Sequence, residues 1–225
     1  MSTARPHGGP SAARAILFDL DGTLVDSRRD IATAVNRVRG ELGEEPLALA
    51  AVSAMVGEGA RTLLERALPP QVPAAFEAAF ASFLRHYDAV CLDTTTLYPG
   101  LEDLLRDAAG RLPLAVLTNK PEGMSRKIVR HLGVADLFAA VVGGDTLPVR
   151  KPDPETVRAT AEMLGSASRE VVLVGDSLVD AATADASGCG LCLVTWGFRP
   201  REELASAHAD ALCDSVAELR SRLGV

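Results

Sequence analysis

Lysine is scarce in this chain of 225 residues, and cationic residues in general are outnumbered. The lysines are Lys120, Lys127 and Lys151, and arginines make up the rest of the 23 cationic residues. Acidic residues number 30, which gives a formal net charge of −7. A general nucleic-acid-binding protein needs a basic face, so this charge balance argues against that class.

Long hydrophobic runs are also missing. No segment approaches the ~20 apolar residues of a membrane span, and the run from Ala15 to Phe18 is too short for the core of a signal peptide. Residues 1–13 mix serine, alanine, proline and glycine, so we predict a flexible N-terminal tail there. We therefore expect a cytoplasmic protein, monomeric or homodimeric, with no membrane partner and no nucleic-acid partner.

Cysteine is infrequent, with four residues in the chain. Cys189 and Cys192 have the spacing of a metal-binding pair, but no second Cys or His pair follows at the distance that a zinc finger requires. Thiols without such a pattern are typical of buried cysteines in a reducing compartment.

The chain does contain short apolar runs, which stop abruptly at polar or glycine residues. Each has the length of one strand buried on both faces. Between them lie stretches with helix signals, such as the N-cap pair Asp153-Pro154. This alternation predicts an α/β fold, a parallel sheet with helices on both faces. The runs are Ile16–Phe18, Leu114–Leu117, Ala139–Val142, Val171–Val174 and Leu191–Val194.

The segment from Ser27 to Asp93 breaks this alternation. It contains no convincing strand, and its apolar residues recur at helical spacing, as Ile31, Val35 and Val38 do. Prolines divide it into parts. We predict four short helices forming a lid over residues 27–93, inserted between two parts of the core, residues 14–26 and 94–225.

Two pairs of carboxylates follow predicted strands. Asp19 and Asp21 come directly after the first strand, and Gly22 lets the chain turn there. Asp176 follows a later strand, and Asp180 lies one helical turn further on. Buried carboxylates that share a site need a cation or a shared proton, and Mg²⁺, which prefers oxygen ligands, would satisfy them. Taken singly, each pair could instead cap the helix that follows it.

Two further clusters offer partners for an anion. Thr118 and Asn119 lie between a strand end and a predicted helix N-terminus, where anions bind. Lys151 stands just before the helix start at Asp153, and its ammonium could neutralise a phosphoryl oxygen and keep nearby carboxylates ionised. Ligands of such sheets bind beyond the carboxyl ends of the strands, which is where all these residues fall.

Together the four clusters resemble the haloacid dehalogenase superfamily of phosphohydrolases, over residues 14–222. The sequence Asp19-Leu20-Asp21-Gly22-Thr23 is the most specific element. The resemblance implies a Rossmann-like core with an inserted helical cap domain. Dehalogenases of this superfamily lack the second acid, so Asp21 favours phosphate substrates over haloacids.

Other segments are similar to the bacterial phosphoglycolate phosphatase group of that superfamily. They are VGEGARTLLERAL at residues 56–68, LYPG at 97–100 and TNKP at 118–121. The resemblance implies that 2-phosphoglycolate, a small phosphorylated metabolite, is hydrolysed to glycolate and phosphate. One departure is GDSLVD at residues 175–180, where many members have GDSRND, but both acids are kept.

The resemblance also implies roles for individual residues. Asp19 would be the nucleophile that forms an aspartyl-phosphate, and Asp21 the general acid and then the base. Thr118 and Lys151 would act with them on the phosphoryl group, and Asn119 and Gly22 would contact substrate. The implied Mg²⁺ ligands are the Asp19 carboxylate, the Asp21 backbone carbonyl, Asp176, and Asp180 directly or through water.

Substrate selection is expected to come from the lid. Arg61 follows the glycine-rich residues 57–60, and we hypothesise that it pairs with the substrate carboxylate; the alternative is a solvated surface arginine. Arg199 is a second candidate.

Two other functions stay open at this point. One is another capped member of the superfamily: a sugar-phosphate phosphatase, a pyrophosphatase or a hexose-phosphate mutase. The other is an inactive binding protein, against which the intact Asp19 and Asp21 argue.

Overall fold

The computed structural model describes residues 13–225, so the predicted N-terminal tail lies outside the described residues except for Ala13. Strands and helices alternate through most of this length, as the apolar runs predict. In chain order the elements are β1 (Ala15–Phe18), β2 (Val25–Asp26), α1 (Arg28–Glu41), α2 (Leu49–Met55), α3 (Ala60–Ala67), α4 (Pro73–Val90), β3 (Thr96–Leu97), α5 (Leu101–Ala109), β4 (Leu114–Leu117), α6 (Glu122–His131), β5 (Ala140–Val142), α7 (Pro154–Met163), β6 (Val171–Gly175), α8 (Leu178–Ser187), β7 (Gly190–Val194), α9 (Arg201–Leu204), β8 (Ala211–Cys213) and α10 (Val216–Leu223).

A six-stranded parallel sheet forms the centre of the molecule. Its strand order is β5-β4-β1-β6-β7-β8, and every neighbouring pair is parallel. The predicted α/β fold, with its Rossmann-like parallel sheet, is therefore confirmed. Strand β8, Ala211–Cys213, was not among the predicted strands.

Both faces of the sheet are covered, which explains why its strands read as continuous apolar runs. In β1, Ile16 and Phe18 point into one buried cluster, and Ala15 and Leu17 point into the other. All four side chains are fully buried. Successive residues of a strand face opposite sides of the sheet. Because both sides are buried here, every position of the strand is apolar.

Helices α1 to α4 occupy the segment for which helices were predicted. Helix α1 packs against α4 and α2, and α2 packs against α3. Helices α2 and α3 are short, with 7 and 8 residues, but α1 runs for 14 residues and α4 for 18, so the prediction of four short helices was wrong for these two. Helix α4 begins at Pro73, the first helical position, where a proline is favoured because its missing N–H has no partner to lose. No helix in the described part of the chain combines the length and apolar character needed to cross a membrane.

The two ends of this helical segment are joined by contacts that the sequence did not indicate. Strands β2 and β3 pair antiparallel where the chain leaves the sheet and returns. Next to them the buried Asp30 carboxylate accepts hydrogen bonds from the backbone N–H groups of Thr94 and Thr95, at 3.1 and 2.9 Å. Both threonine hydroxyls donate to it as well. One carboxylate thus ties the start of α1 to the returning chain.

Candidate active site at the carboxyl edge of the sheet

The sheet order places the predicted polar clusters side by side. Asp19 follows β1, Thr118 follows β4 and Asp176 follows β6, and these three strands are neighbours in the sheet. Asp180 lies in the first turn of α8. Lys151 lies just before α7, whose N-cap is Asp153 with Pro154 at the first helical position, as predicted.

Three carboxylates and one ammonium form the centre of the site. Oxygen atoms of Asp19, Asp176 and Asp180 all lie within 4.8 Å of one another, and the three residues are buried. Lys151 Nζ is 3.1 Å from Asp19 Oδ1 and 2.6 Å from Asp180 Oδ1. A single ammonium does not balance three carboxylates, and buried charge without a partner is costly. The cluster therefore has the charge and the oxygen donors for a divalent cation.

The pKa values of these groups are shifted in the directions expected for a cluster with too little positive charge. Burial raises the pKa of Asp19 from 3.8 to about 6, although Lys151 opposes the shift. Burial, followed by the charges of Asp180 and Asp19, raises the pKa of Asp176 well above its usual range. Burial disfavours the charged form of Lys151, but the two carboxylates beside it raise its pKa above the ordinary value. A bound Mg²⁺ would fit these oxygen donors and remove the cost of ionising them.

Asp176 is held by the loop that carries Arg199, to which the sequence assigned no role at the carboxylate cluster. The Phe198 N–H donates to Asp176 Oδ2 at 2.7 Å, and Thr23 Oγ1 lies 3.4 Å from Oδ1. Gly22, at φ 83°, and Gly197 approach the same carboxylate so closely that a Cβ on either would overlap it. Gly22 thus leaves room for the Asp176 carboxylate and also allows the chain to turn. Residues 197 and 198 lie on the other side of the same carboxylate.

Asp180 caps the helix that follows it, which is one of the two roles that the sequence left open, and it also contacts Lys151. Its Oδ2 accepts hydrogen bonds from Ser177 Oγ at 2.6 Å and from the Ser177 N–H at 3.2 Å, so it forms a capping box at the start of α8. Its Oδ1 receives Lys151. Because both oxygens already have donors, Asp180 is built to orient Lys151 as well as to add charge to the cluster.

The Asp21 carboxylate points away from the three-carboxylate cluster. Lys120 Nζ donates to its Oδ1 at 2.9 Å and its Oδ2 at 2.8 Å, and Ser27 Oγ donates to Oδ1. The same ammonium lies 4.4 Å from the ring centroid of Tyr87 and donates to the Tyr87 hydroxyl. Burial, then the Asp21 charge, raises the pKa of that phenol well above its usual value.

Lys120 and Tyr87 are site residues that sequence reasoning missed. Tyr87 lies in α4 at the helical spacing of a core residue, so its spacing alone indicates packing within the lid. Lys120 stands in the TNKP segment and was not given a role. The available signal was its rarity, because arginine is the default cation of this chain and Lys120 is one of its few lysines.

Thr118 and Asn119 are buried beside Asp19 and Lys151. The Thr118 side chain hydrogen-bonds to Asp19 and lowers its proton affinity. Asn119 Nδ2 donates to the backbone carbonyls of Gly57 and Lys151, each at 3.0 Å, and its Oδ1 has no partner. An amide used in this way links the lid to the Lys151 loop. Asn119 also lines the pocket, and its contact with substrate stays a prediction.

The two candidate arginines lie apart from the carboxylates. Arg61 donates to both oxygens of Glu77, at 2.7 and 3.1 Å, and its guanidinium lies over the rings of Phe76 and Phe80. Arg199 donates to the backbone carbonyls of Ala54 and Val56. The structure thus does not bring Arg61 together with the other site residues, and its pairing with substrate stays a prediction.

A pocket lies between the carboxyl edge of the sheet and helices α1 to α4. The sheet side contributes polar groups, and the helical side contributes an apolar wall. Charge is therefore concentrated where the strands end. The polar lining residues are Asp19, Asp21, Tyr87, Thr118, Asn119 and Lys120, and the apolar wall of the helical side includes Ile31, Val56, Leu63 and Phe83.

Fold and site together define a hydrolase of the parallel α/β class. The sequence profile of the haloacid dehalogenase-like hydrolases matches residues 13–188, and the chain belongs to that family. A phosphoglycolate phosphatase of Cereibacter sphaeroides is 44% identical over 217 residues, covering 91% of this chain and 98% of the relative. One of Rhodospirillum rubrum is 42% identical over 220 residues, covering 94% and 91%.

Solved structures agree with this family. A crystal structure of a predicted phosphoglycolate phosphatase from Haemophilus somnus superposes with a TM-score of 0.88 at 28% identity. The match covers 93% of this chain and 97% of that chain. The match extends beyond the profile region, so the elements after α8 belong to the shared fold as well.

Proposed function

We propose that this protein is a Mg²⁺-dependent phosphatase that hydrolyses 2-phosphoglycolate to glycolate and phosphate through an aspartyl-phosphate on Asp19. The observation that carries the proposal is the buried cluster of Asp19, Asp176, Asp180 and Lys151, whose Asp19 lines one pocket together with Asp21. The substrate assignment is supported by relatives named phosphoglycolate phosphatase that cover nearly the whole chain.

Asp19 is the proposed nucleophile because it is both fixed and exposed to the pocket. The Leu20 N–H donates to its Oδ1 at 2.7 Å, and Lys151 Nζ lies 3.1 Å from the same oxygen. These contacts orient the carboxylate toward a phosphorus atom in the pocket. A phosphate dianion is repelled by an anionic nucleophile, and Lys151 offsets part of that repulsion.

A metal ion would be held by Asp19 and Asp176, with Asp180 supporting it and the Asp21 backbone carbonyl as a further ligand. When bound, Mg²⁺ supplies positive charge to the phosphoryl oxygens and keeps the carboxylates ionised. Thr118 stands beside Asp19 and can donate a hydrogen bond to a phosphoryl oxygen. Lys151 remains in place through its ion pair with Asp180.

Asp21 is the proposed general acid and base. It lines the pocket, and Ser27 and Lys120 orient its carboxylate. In the first step the protonated Asp21 carboxyl gives its proton to the ester oxygen, so that glycolate leaves with a neutral hydroxyl group and Asp21 becomes a carboxylate. In the second step it takes a proton from the water that attacks the aspartyl-phosphate, and it returns to its initial state.

Residues 27–93 are the proposed cap of this site. The helical segment supplies the apolar wall of the pocket, and Asn119 and Arg199 hold its backbone at Gly57, Ala54 and Val56. A closed cap restricts the water that reaches the aspartyl-phosphate. The hinges are proposed near residues 26–27 and 93–96, where β2, β3 and the Asp30 contacts join the two parts.

The test is phosphate release from a panel of phosphate esters, with and without Mg²⁺, with the Asp19→Asn variant as the control. A preference for 2-phosphoglycolate that disappears without metal and in the variant supports the proposal. Equal rates on many sugar phosphates would remove the substrate assignment. Release that persists in Asp19→Asn would remove Asp19 as the nucleophile.

A further inference from the structure

Lys120 is the one cationic side chain, among the described residues 13–225, that lines the pocket holding Asp19 and Asp21. It is 6% exposed, so it is held within the protein and not in bulk solvent. Lys151, the other buried lysine near the site, is committed to Asp19 and Asp180. The pocket therefore offers a substrate one ammonium that is not part of the carboxylate cluster.

Among the described residues, the rest of this pocket offers no second cation. The other polar side chains that line it without being acidic, Tyr87, Thr118 and Asn119, are neutral. Ile31, Val56, Leu63 and Phe83 are apolar. Arg61, for which substrate binding was predicted, is paired with Glu77 outside this pocket. A carboxylate buried without a cation or a hydrogen-bond donor costs several kcal/mol or shifts to its neutral form. Among these lining residues, Lys120 is the group that offers a substrate carboxylate the opposite charge.

The position of Lys120 relative to Asp21 matches the shape of such a substrate. Lys120 Nζ lies 2.8 and 2.9 Å from the two oxygens of Asp21, the proposed proton donor to the ester oxygen. In 2-phosphoglycolate a single methylene separates that oxygen from the carboxylate carbon. An ester oxygen at Asp21 therefore puts the substrate carboxylate within reach of the ammonium.

Lys120 can serve both groups at once. An ammonium has three N–H donors. The Tyr87 hydroxyl takes one, and the Asp21 carboxylate receives the ammonium at both of its oxygens. A substrate carboxylate can replace one of the two Asp21 contacts without moving the lysine. The Tyr87 ring, 4.4 Å away, keeps the ammonium in place during the exchange.

We infer that Lys120 is the specificity-determining residue of this pocket, and that it selects phosphate esters with a carboxylate one carbon from the ester oxygen. This inference rests on the proposed function and adds to it the residue that recognises the organic part of the substrate. It assigns to Lys120 the role that was predicted for Arg61.

The experiment compares kcat/KM for 2-phosphoglycolate with kcat/KM for ethyl phosphate, which lacks the carboxylate. In Lys120→Met we expect the ratio of the two to fall by about 10- to 100-fold, the range for losing a hydrogen bond to a charged group. Loss of the Asp21 partner slows both esters and cancels in the ratio. Lys127→Met removes an exposed lysine paired with Asp88 and is the matched control.

A second variant covers the event that Lys120→Met does not fold. Lys120→Gln keeps an N–H donor for Asp21 but carries no charge, so the ratio must fall there as well. An unchanged ratio in the Lys120 variants, with the wild-type preference for 2-phosphoglycolate intact, would overturn the inference and leave the proposed function standing. A wild-type enzyme without that preference would overturn both.

Discussion

Replacing the proposed nucleophile by asparagine is expected to stabilise the metal-free protein at neutral pH while it abolishes activity. Burial raises the pKa of Asp19 from 3.8 to about 6, so the folded state is destabilised whenever this carboxyl is ionised. A shift of that size corresponds to roughly 3 kcal/mol. For a chain of this length the expected gain in Tm of Asp19→Asn is about 6–12 °C.

The sign and the pH window follow from the direction of the shift. Because the folded-state pKa is the higher one, the contribution of Asp19 to stability is fully present below pH 3.8 and is lost as the pH rises through about 6. The stability difference between Asp19→Asn and the wild type should therefore be small at the acid end of this window. It should grow through the window and stay constant above it.

Urea unfolding in the presence of a chelator, at both ends of that window, measures the difference. Asp136→Asn, which neutralises an exposed carboxylate, is the matched control and should show no such pH dependence. Added Mg²⁺ should raise the stability of the wild type more than that of Asp19→Asn, because the ion binds the folded carboxylates. Equal or lower stability of Asp19→Asn at neutral pH without metal would refute the reasoning.

Two further substitutions test the support of the site. Gly197→Ala places a Cβ on the Asp176 carboxylate, so kcat/KM should fall about 100-fold and the Mg²⁺ titration midpoint should rise. Gly123→Ala is the control, because Gly123 has open space around it, and it should change neither quantity. Equal effects of the two substitutions would contradict the packing argument. Asp30→Ala leaves two backbone N–H groups of the returning chain without acceptors, so the free energy of unfolding in a urea titration should fall by about 2–4 kcal/mol. Thr33→Ala, at an exposed position, is the control and should change the free energy of unfolding little. A similar loss in both variants would contradict the stabilising role of the Asp30 hydrogen bonds.

Much of the site was predictable because its residues follow apolar strands. Asp19, Thr118 and Asp176 each end a run that can be seen locally, and parallel strands bring their ends to one edge. The sequence does not show which strands are neighbours. The placement of these three residues side by side comes from the strand order, which long-range packing decides.

Lys120 and Arg61 show where local patterns are insufficient. The contact between Lys120 and Tyr87 joins residues 33 positions apart, and it depends on how α4 lies over the sheet edge. Arg61 follows glycines that would allow it to approach the core, but Glu77 and two rings of α4 hold it elsewhere. In both cases the lid's packing decides which cation lines the pocket.

The most direct test of the account is to detect the covalent intermediate on Asp19. The Asp21→Asn variant should be mixed with p-nitrophenyl phosphate and Mg²⁺, because this leaving group departs without a proton while the variant lacks the base that activates water. After acid quenching, mass spectrometry of the peptide containing Asp19 should show one phosphoryl group on Asp19, absent when Mg²⁺ is withheld. Release of p-nitrophenol with no phosphoryl group on Asp19, or with the label on another residue, would contradict the account.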